Sequence, residues 1–519
     1  YTHMNFRANM IKNTKRKDNF MQIYWGDLHN HCDITYGYGS QANALARAAD
    51  HLDFCAITGH AMWPDIVERN EETAFIIDFH QEGFKKLRDH WDEVRREIAA
   101  ANGPDFVTFQ AYEMHSGQYG DHHIVSPDDQ LPLIYRNSPG ELKRDAGVPA
   151  ITIVHHIGYP PSYRGIDWDL FDERVTPLVE VCSKHGCAMS ETAPFPYYHD
   201  MGPRDSRNTV YEGLKRGLHF GFVGSTDHHA GYPGSYGDGK LAALAEAKTR
   251  ESIWEAFLNR RTYAVTGDRI RCNFTVNGAL MGSILPPSKK REICWNVEAC
   301  YPINKIVLYR NLKPVQVVCG ESLLPLSQKS GKYKLRIETG WGNNEEEAYE
   351  WQCSVQVTDG KIIGAEPCFR GRSVLSPKDT DTSGRDKVND LPNRILSLTP
   401  DSCSWQCFTF KNMTTLHPQT CAVILEMEGD PSTQVSVDIN GRRETRTIAQ
   451  LLEAGYAGEM KKWHSQAFKV HTAVPACRYQ VSGSFSDTAG EGQKEDFYHL
   501  EVSQLNGHWA FVTPVWVKC

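Results

Sequence analysis

The chain has 519 residues, well beyond the size of a single hydrophobic core, so two or three domains are expected. Its formal net charge of -8 lacks the basic excess of a nucleic-acid surface, and no stretch approaches eighteen apolar residues, so neither nucleic acid nor membrane is an expected partner. Fifteen cysteines, odd in number and irregularly spaced, fit reduced thiols and a cytoplasmic protein; a disulfide-bearing exported β-domain is the alternative.

In chain order, residues 1–20 are polar and basic and read as a flexible N-terminal arm without the apolar run of a signal peptide. Apolar residues then lead into Asp27-Leu28-His29-Asn30-His31. Alternate side chains of an extended chain share a face, so His29 and His31 can reach one ion together. From Gln41 to Leu52 the period is helical, with Ala44, Leu45, Ala48 and Leu52 on one side. Asp53 to Thr58 is a short apolar strand ending at Gly59-His60, and a long amphipathic helix covers residues 76–101. Phe106 to Glu113 is a strand ending in a carboxylate, with His122 or His123 shortly after.

The same pattern recurs further on. Ala150 to Val154 leads into His155-His156, Pro177 to Val181 into Cys182-Ser183-Lys184-His185, and Phe220 to Gly224 into Ser225-Thr226-Asp227-His228-His229. Strands that repeatedly end in polar chemistry are the organisation of a parallel (β/α) barrel, whose sites lie at the C-terminal strand ends. Residues 21–270 are therefore expected to form the barrel. Beyond them helical patterns nearly vanish and short alternating runs separated by turns take over. That texture predicts an all-β, sandwich-like domain over 271–519, with a polar loop near 370–395. Imidazoles and a few carboxylates gathered at strand ends suit zinc, manganese or iron.

Two of these motifs, Asp27-Leu28-His29-Asn30-His31 and Ile57-Thr58-Gly59-His60, resemble the first two motifs of the PHP (polymerase and histidinol phosphatase) superfamily. Val154-His155 resembles its mid-chain histidine, and Asp227-His228-His229 its closing Asp-x-His. Thr249 to Ala256, Arg261 to Gly267 and the closing Thr513 to Val517 look like a long, little-characterised branch of PHP-like proteins. The resemblance implies an α/β fold, a distorted (β/α)7 TIM-like barrel, holding two or three divalent ions through His29, His31, His60, Glu113, His122, His155, Asp227 and His229. Two departures stand out. Gly59 replaces the usual acid, which would alter the support of His60. Tyr36, Gly37 and Tyr38 occupy the stretch where a further histidine or aspartate is common, with Asp33 a weak substitute.

The activity implied is a metal-dependent hydrolase, a phosphoesterase that uses a metal-bridging hydroxide on a small phosphorylated substrate. Asp227 would serve catalysis as well as the ions. His156, His185 or His228 could protonate the leaving oxygen, since imidazole chemistry suits neutral pH. Arg164 and Lys184 are candidate substrate-anion contacts. The same ligand set would serve an amide, lactone, sulfate ester or glycosidic bond. A third expectation is a non-catalytic metal- or carbohydrate-binding protein. A homo-oligomer is compatible with the sequence.

Overall fold

A computed structural model describes residues 21–197, 202–322, 331–342, 348–372, 374, 391–411, 419–463, 465–490 and 492–519. The expected N-terminal arm and most of the expected polar loop lie outside these residues.

The fold is mixed α/β, with many strands and few helices. Strand β1 (Gln22–Asp27) buries its last four residues. Helix α1 (Gln41–His51) starts where the Ser40 side chain accepts a hydrogen bond from the Asn43 amide, which satisfies an otherwise unpaired donor of the first turn. Its Ala44, Leu45 and Ala48 face the core, as the periodicity requires. Short strands β2 (Phe54–Ala56) and β3 (Gly59–Met62) follow. Helix α2 (Ala74–Ala101) then buries Phe84, Leu87, Trp91, Val94 and Ile98 along one stripe. Next come β4 (Val107–Met114), β5 (His122–Ser126), helix α3 (Pro139–Asp145), β6 (Ile151–Val154), β7 (Leu178–Ser183) and β8 (Gly186–Cys187). Helix α4 (Val210–Lys215), β9 (Gly221–Gly224), β10 (Lys240–Ala245), helix α5 (Arg250–Leu258) and β11 (Thr262–Val265) complete this half.

Pairing runs β1–β2–β4–β5–β6–β7–β9. The β4–β5 and β5–β6 pairs are antiparallel and the others parallel. Just beyond the strand ends, an isolated parallel bridge joins Asn30 to His228, and His31 N donates to His228 O at 2.8 Å. The first and last members of the series therefore meet at the end where the histidines lie. Gly26 makes this packing possible, because a Cβ there would stand 2.2 Å from the Phe54 ring.

The boundary near residue 270 is not a break in the sheet. Trp509–Lys518 pairs antiparallel with β11 and with Glu495–Gln504, which pairs in turn with Ile303–Arg310. Lys313–Cys319 and Ile284–Leu285 join the same sheet, and the other C-terminal strands among the described residues form sheets of four, five and six strands. Residues from the five- and six-stranded sheets, among them Leu335, Trp351, Trp405, Val423 and Val437, share one buried cluster. Cys403 and Cys407 lie in that cluster and pack with its apolar residues. Among the described residues no helix is long and apolar enough to cross a membrane.

Candidate metal centre

Asp27, the last residue of β1, fixes the mouth of the site. Its carboxylate accepts from the amides of His29 (3.1 Å), Thr226 (3.1 Å) and Gly234 (2.9 Å) and from the Thr226 hydroxyl (2.5 Å). Burial raises its pKa to about 6 despite these donors. The chain after β1 is thereby tied to the segment after β9, and Asp227 N donates to His29 O at 2.7 Å.

Two carboxylates occupy the middle of the imidazoles. Glu113, at the end of β4, has Oε1 3.0 Å from His155 Nε2 and 3.3 Å from His115 Nδ1. Its Oε2 lies 3.0 Å from His60 Nδ1, 3.4 Å from His31 Nε2 and 3.7 Å from His29 Nε2. Asp227 has Oδ1 3.0 Å from His31 Nε2, 3.4 Å from His29 Nε2 and 3.6 Å from His229 Nδ1. Its Oδ2 lies 2.7 Å from His185 Nε2 and 3.4 Å from His156 Nε2. All these groups are buried.

Apart from the hydrogen bond between His155 Nε2 and Glu113 Oε1, much of this close approach is not hydrogen bonding. Among the described residues Glu113 Oε2, Asp227 Oδ2 and the Nε2 atoms of His29, His31, His60 and His123 have no partner of acceptable hydrogen-bond geometry. Buried polar atoms are rarely left this way. Donor atoms that crowd together without pointing at one another are arranged as ligands around shared centres are. Ligand-type atoms lie within 4.8 Å of one another in the groups His29/His123/His155, His31/His60/His229, His29/His31/Glu113, His60/Glu113/His115 and Asp121/His155/His156. These residue types and this burial fit divalent cations.

The charge states agree with that fit. Burial alone would raise the pKa values of Glu113 and Asp227, but the surrounding imidazoles hold both well below the carboxylate range. Burial pushes His31, His60, His123, His156 and His229 below the ordinary imidazole value, so each keeps a free lone pair at neutral pH. His29 is the exception: burial opposes its charge, yet Asp227 and Glu180 raise it well above the ordinary value. Backbone strain gathers at the same place. Asp227 (φ 51°) and His156 (φ 54°) are non-glycine residues in the left-handed region, each costing about 1–3 kcal/mol.

The strand pattern left His122 and His123 open and the resemblance implied His122, but the structure brings His123 to His29 and His155. Register is the reason. Strand β4 pairs antiparallel with β5 so that Glu113 faces His123 and Met114 faces His122. Parallel pairing sets His60 beside Glu113 on the other flank. His60, Glu113 and His123 thus stand in a row across three strands, while His122 Nδ1 meets Gly120 O at 2.8 Å.

Sequence reasoning also missed Glu180 and Asp121. Glu180 Oε2 lies 2.9 Å from His29 Nδ1 and fixes which nitrogen of that ring faces the centre. Asp121 Oδ2 lies 3.0 Å from His115 Nδ1 and 3.1 Å from Arg164 Nε, so Arg164 carries a carboxylate partner at the edge of the site. Tyr36 stacks on His60 with ring centres 3.9 Å apart, and its hydroxyl lies 3.1 Å from His115 Nε2. Gly59 has a packing reason: a Cβ there would stand 2.9 Å from Leu87 and 3.0 Å from Ile34. Lys184 and His228 do not turn towards the two carboxylates; they line a separate cavity.

No family model matches the chain. An uncharacterised protein of Chlamydia trachomatis is 30% identical over 320 residues, which are 56% of this chain and 48% of that protein. One of Chlamydia pneumoniae is 28% identical over 251 residues, 43% of this chain and 40% of that protein. The chain thus spans less than half the length of these curated relatives. Among solved structures, a two-domain Bacteroides vulgatus protein containing a predicted PHP-like metal-dependent phosphoesterase is 14% identical. The match covers 59% of this chain and 84% of that one, with a TM-score of 0.33.

Proposed function

We propose that the chain is a metal-dependent hydrolase of the PHP type that cleaves a phosphate ester of a small molecule. The observation that carries this reading is the convergence of buried, mostly neutral imidazoles on Glu113 and Asp227 without hydrogen bonding among the orphaned atoms. The circuit β1–β2–β4–β5–β6–β7–β9, joined at Asn30 and His228, is read as the distorted (β/α)7 barrel. The five- and six-stranded sheets with their common core are read as the sandwich-like domain.

In this reading His29, His31, His60, Glu113, His123, His155, Asp227 and His229 hold two or three divalent ions (zinc, manganese or iron). When bound, such ions lower the pKa of water and neutralise charge on a phosphoryl group. The protein's own groups do the rest. Glu180 orients His29 through Nδ1. Asp27 holds the strand end that carries His29 and His31 against the segment that carries Asp227. His156 and His185 flank Asp227 Oδ2; His185 is the group whose Nε2 proton can pass to the leaving oxygen, while His156 stays neutral beside it. Small-molecule substrate, cytoplasmic location and independence from nucleic acid and membrane belong to the same proposal.

The test is elemental analysis of the purified full chain together with assays on phosphomonoesters, phosphodiesters, sulfate esters, amides, lactones and glycosides, each with added manganese or zinc. Two or more tightly held equivalents with turnover of a phosphate ester are expected. Less than one equivalent per chain would reject the metal centre. Turnover of another class alone would reject the phosphoesterase.

A further inference from the structure

Behind the segments that carry His185 and Asp227 lies a cavity of about 440 Å³, lined from both halves of the chain. Segment 182–187 and segment 225–229 form its wall, tied by the amide of Lys184, which donates to Thr226 O at 3.2 Å. Neighbouring residues part at two places in this wall. His185 and Asp227 meet on the metal side at 2.7 Å, whereas Lys184 and His228 line the cavity. Arg370 and His508 close it from the C-terminal half, and Phe195 and Pro196 supply an apolar side.

The charge in this cavity is unbalanced. Arg370 Nε donates to Thr420 O at 3.0 Å and its Nη1 to Tyr236 O at 2.6 Å, and its guanidinium lies over the Tyr236 ring. Lys184 Nζ donates to Val374 O at 2.8 Å. Among the described residues neither cation makes an ion pair. Among the described residues Asp238 is the lone carboxylate of the lining, set against Lys184 and Arg370, while burial keeps His228 and His508 neutral. Two cations held by carbonyl oxygens in a recess keep strong donor capacity for an anion, and a guanidinium fork beside an ammonium suits the several oxygens of a phosphoryl group. The volume is far larger than one such group, and the Phe195–Pro196 side can take an organic body.

We propose that this cavity is a second ligand site, distinct from the metal centre, which holds the phosphoryl group of a small organic phosphate between Lys184 and Arg370. It assigns Lys184 to this site rather than to the metal centre. It also gives the C-terminal half a task, since Arg370 and His508 come from there. Because one wall serves both sites, occupancy here bears directly on the segment that positions Asp227 and His185.

The probe is benzylphosphonate, which a phosphoesterase does not cleave, titrated by calorimetry into the full chain carrying Asp227→Asn, or His31→Ala if that chain aggregates. One equivalent is expected to bind despite the damaged metal centre. Adding Lys184→Gln or Arg370→Gln should weaken it on the order of tenfold, as expected for loss of one charge-assisted contact, with Arg370→Lys weakening it less. Lys184→Gln decides the matter if Arg370→Gln does not fold, because Lys184 gives up only a contact with a carbonyl oxygen. No binding to the Asp227→Asn chain, unchanged affinity after Lys184→Gln, or benzoate bound as tightly as benzylphosphonate would each overturn the proposal. Failure of the metal-centre reading would leave this result untouched, since the assay is made with that centre disabled.

Discussion

Two buried aspartates, one in each polar knot of the molecule, are treated in opposite ways. Asp268 accepts from Tyr236 Oη (2.7 Å) and Arg336 Nη1 (3.3 Å) on one oxygen, and from Gln504 Nε2 and Asn506 Nδ2 (both 2.7 Å) on the other. Asp227 is equally buried, yet its Oδ2 has no hydrogen bond among the described residues although two imidazole nitrogens crowd it. The first arrangement is complete and holds strands together. The second is complete only with something added. Burial and charge alone do not separate structure from function; satisfaction of the donors and acceptors does.

The sharpest way to break this contrast is to remove each carboxylate. Asp227→Ala is expected to abolish turnover and bound metal, while circular dichroism still shows the C-terminal strands folded. Asp268→Ala is expected to leave metal content unchanged and to cost roughly 3–5 kcal/mol in denaturant unfolding, because it takes one of two carboxylates from the buried Arg336 and the acceptor from Tyr236, Gln504 and Asn506. If the two variants exchanged these phenotypes, the distinction would be wrong.

A second C-terminal carboxylate sharpens the point through pH. Glu338 is buried, which would raise its pKa, but His471 at 2.8 Å, the nearby Arg336 and the Thr420 hydroxyl hold it at about 2. A depressed folded-state value means stability that is full above the unfolded value near 4.5 and lost as pH falls towards 2. The amount is roughly 3 kcal/mol. The gap in unfolding free energy between the wild type and Glu338→Gln should close over that window and stay constant above it. A gap that persists at pH 2 would contradict the assignment. The smallest expected effect is at Glu180. Glu180→Gln should weaken metal affinity about 10- to 100-fold through His29 while the fold persists. An unchanged affinity would leave Glu180 a packing residue.

Much of the site was legible in the residues. His29, His31, His60, Glu113, His155, Asp227 and His229 each follow an apolar strand, and the end of a strand is where the next residues turn into a common mouth. What was not legible is lateral. Whether His122 or His123 turns inward depends on the pairing of Glu113 with a partner strand, which no local pattern encodes. Glu180 lies inside the run Leu178–Ser183, where a single acid reads as a flaw in a strand until His29 is seen 2.9 Å away. At Gly59 the sequence shows an altered support for His60 but not the ends of the Leu87 and Ile34 side chains, which crowd the position of a Cβ there. Arg370 meets Lys184 only because sheets distant in sequence close over β7 and β8. In the fold, the change of texture near residue 270 was visible, but the pairing of Trp509–Lys518 with β11 was not, because a ladder formed across some 250 residues leaves no periodic trace.

That ladder has a practical consequence. Cutting the gene at codon 270 would strip β11 of its neighbour and bare a row of amide and carbonyl groups flanked by Tyr263 and Val265. Such an unprotected rim invites self-association. Dissection of this molecule is therefore better done by single substitutions in the intact polypeptide than by isolating its histidine-rich portion.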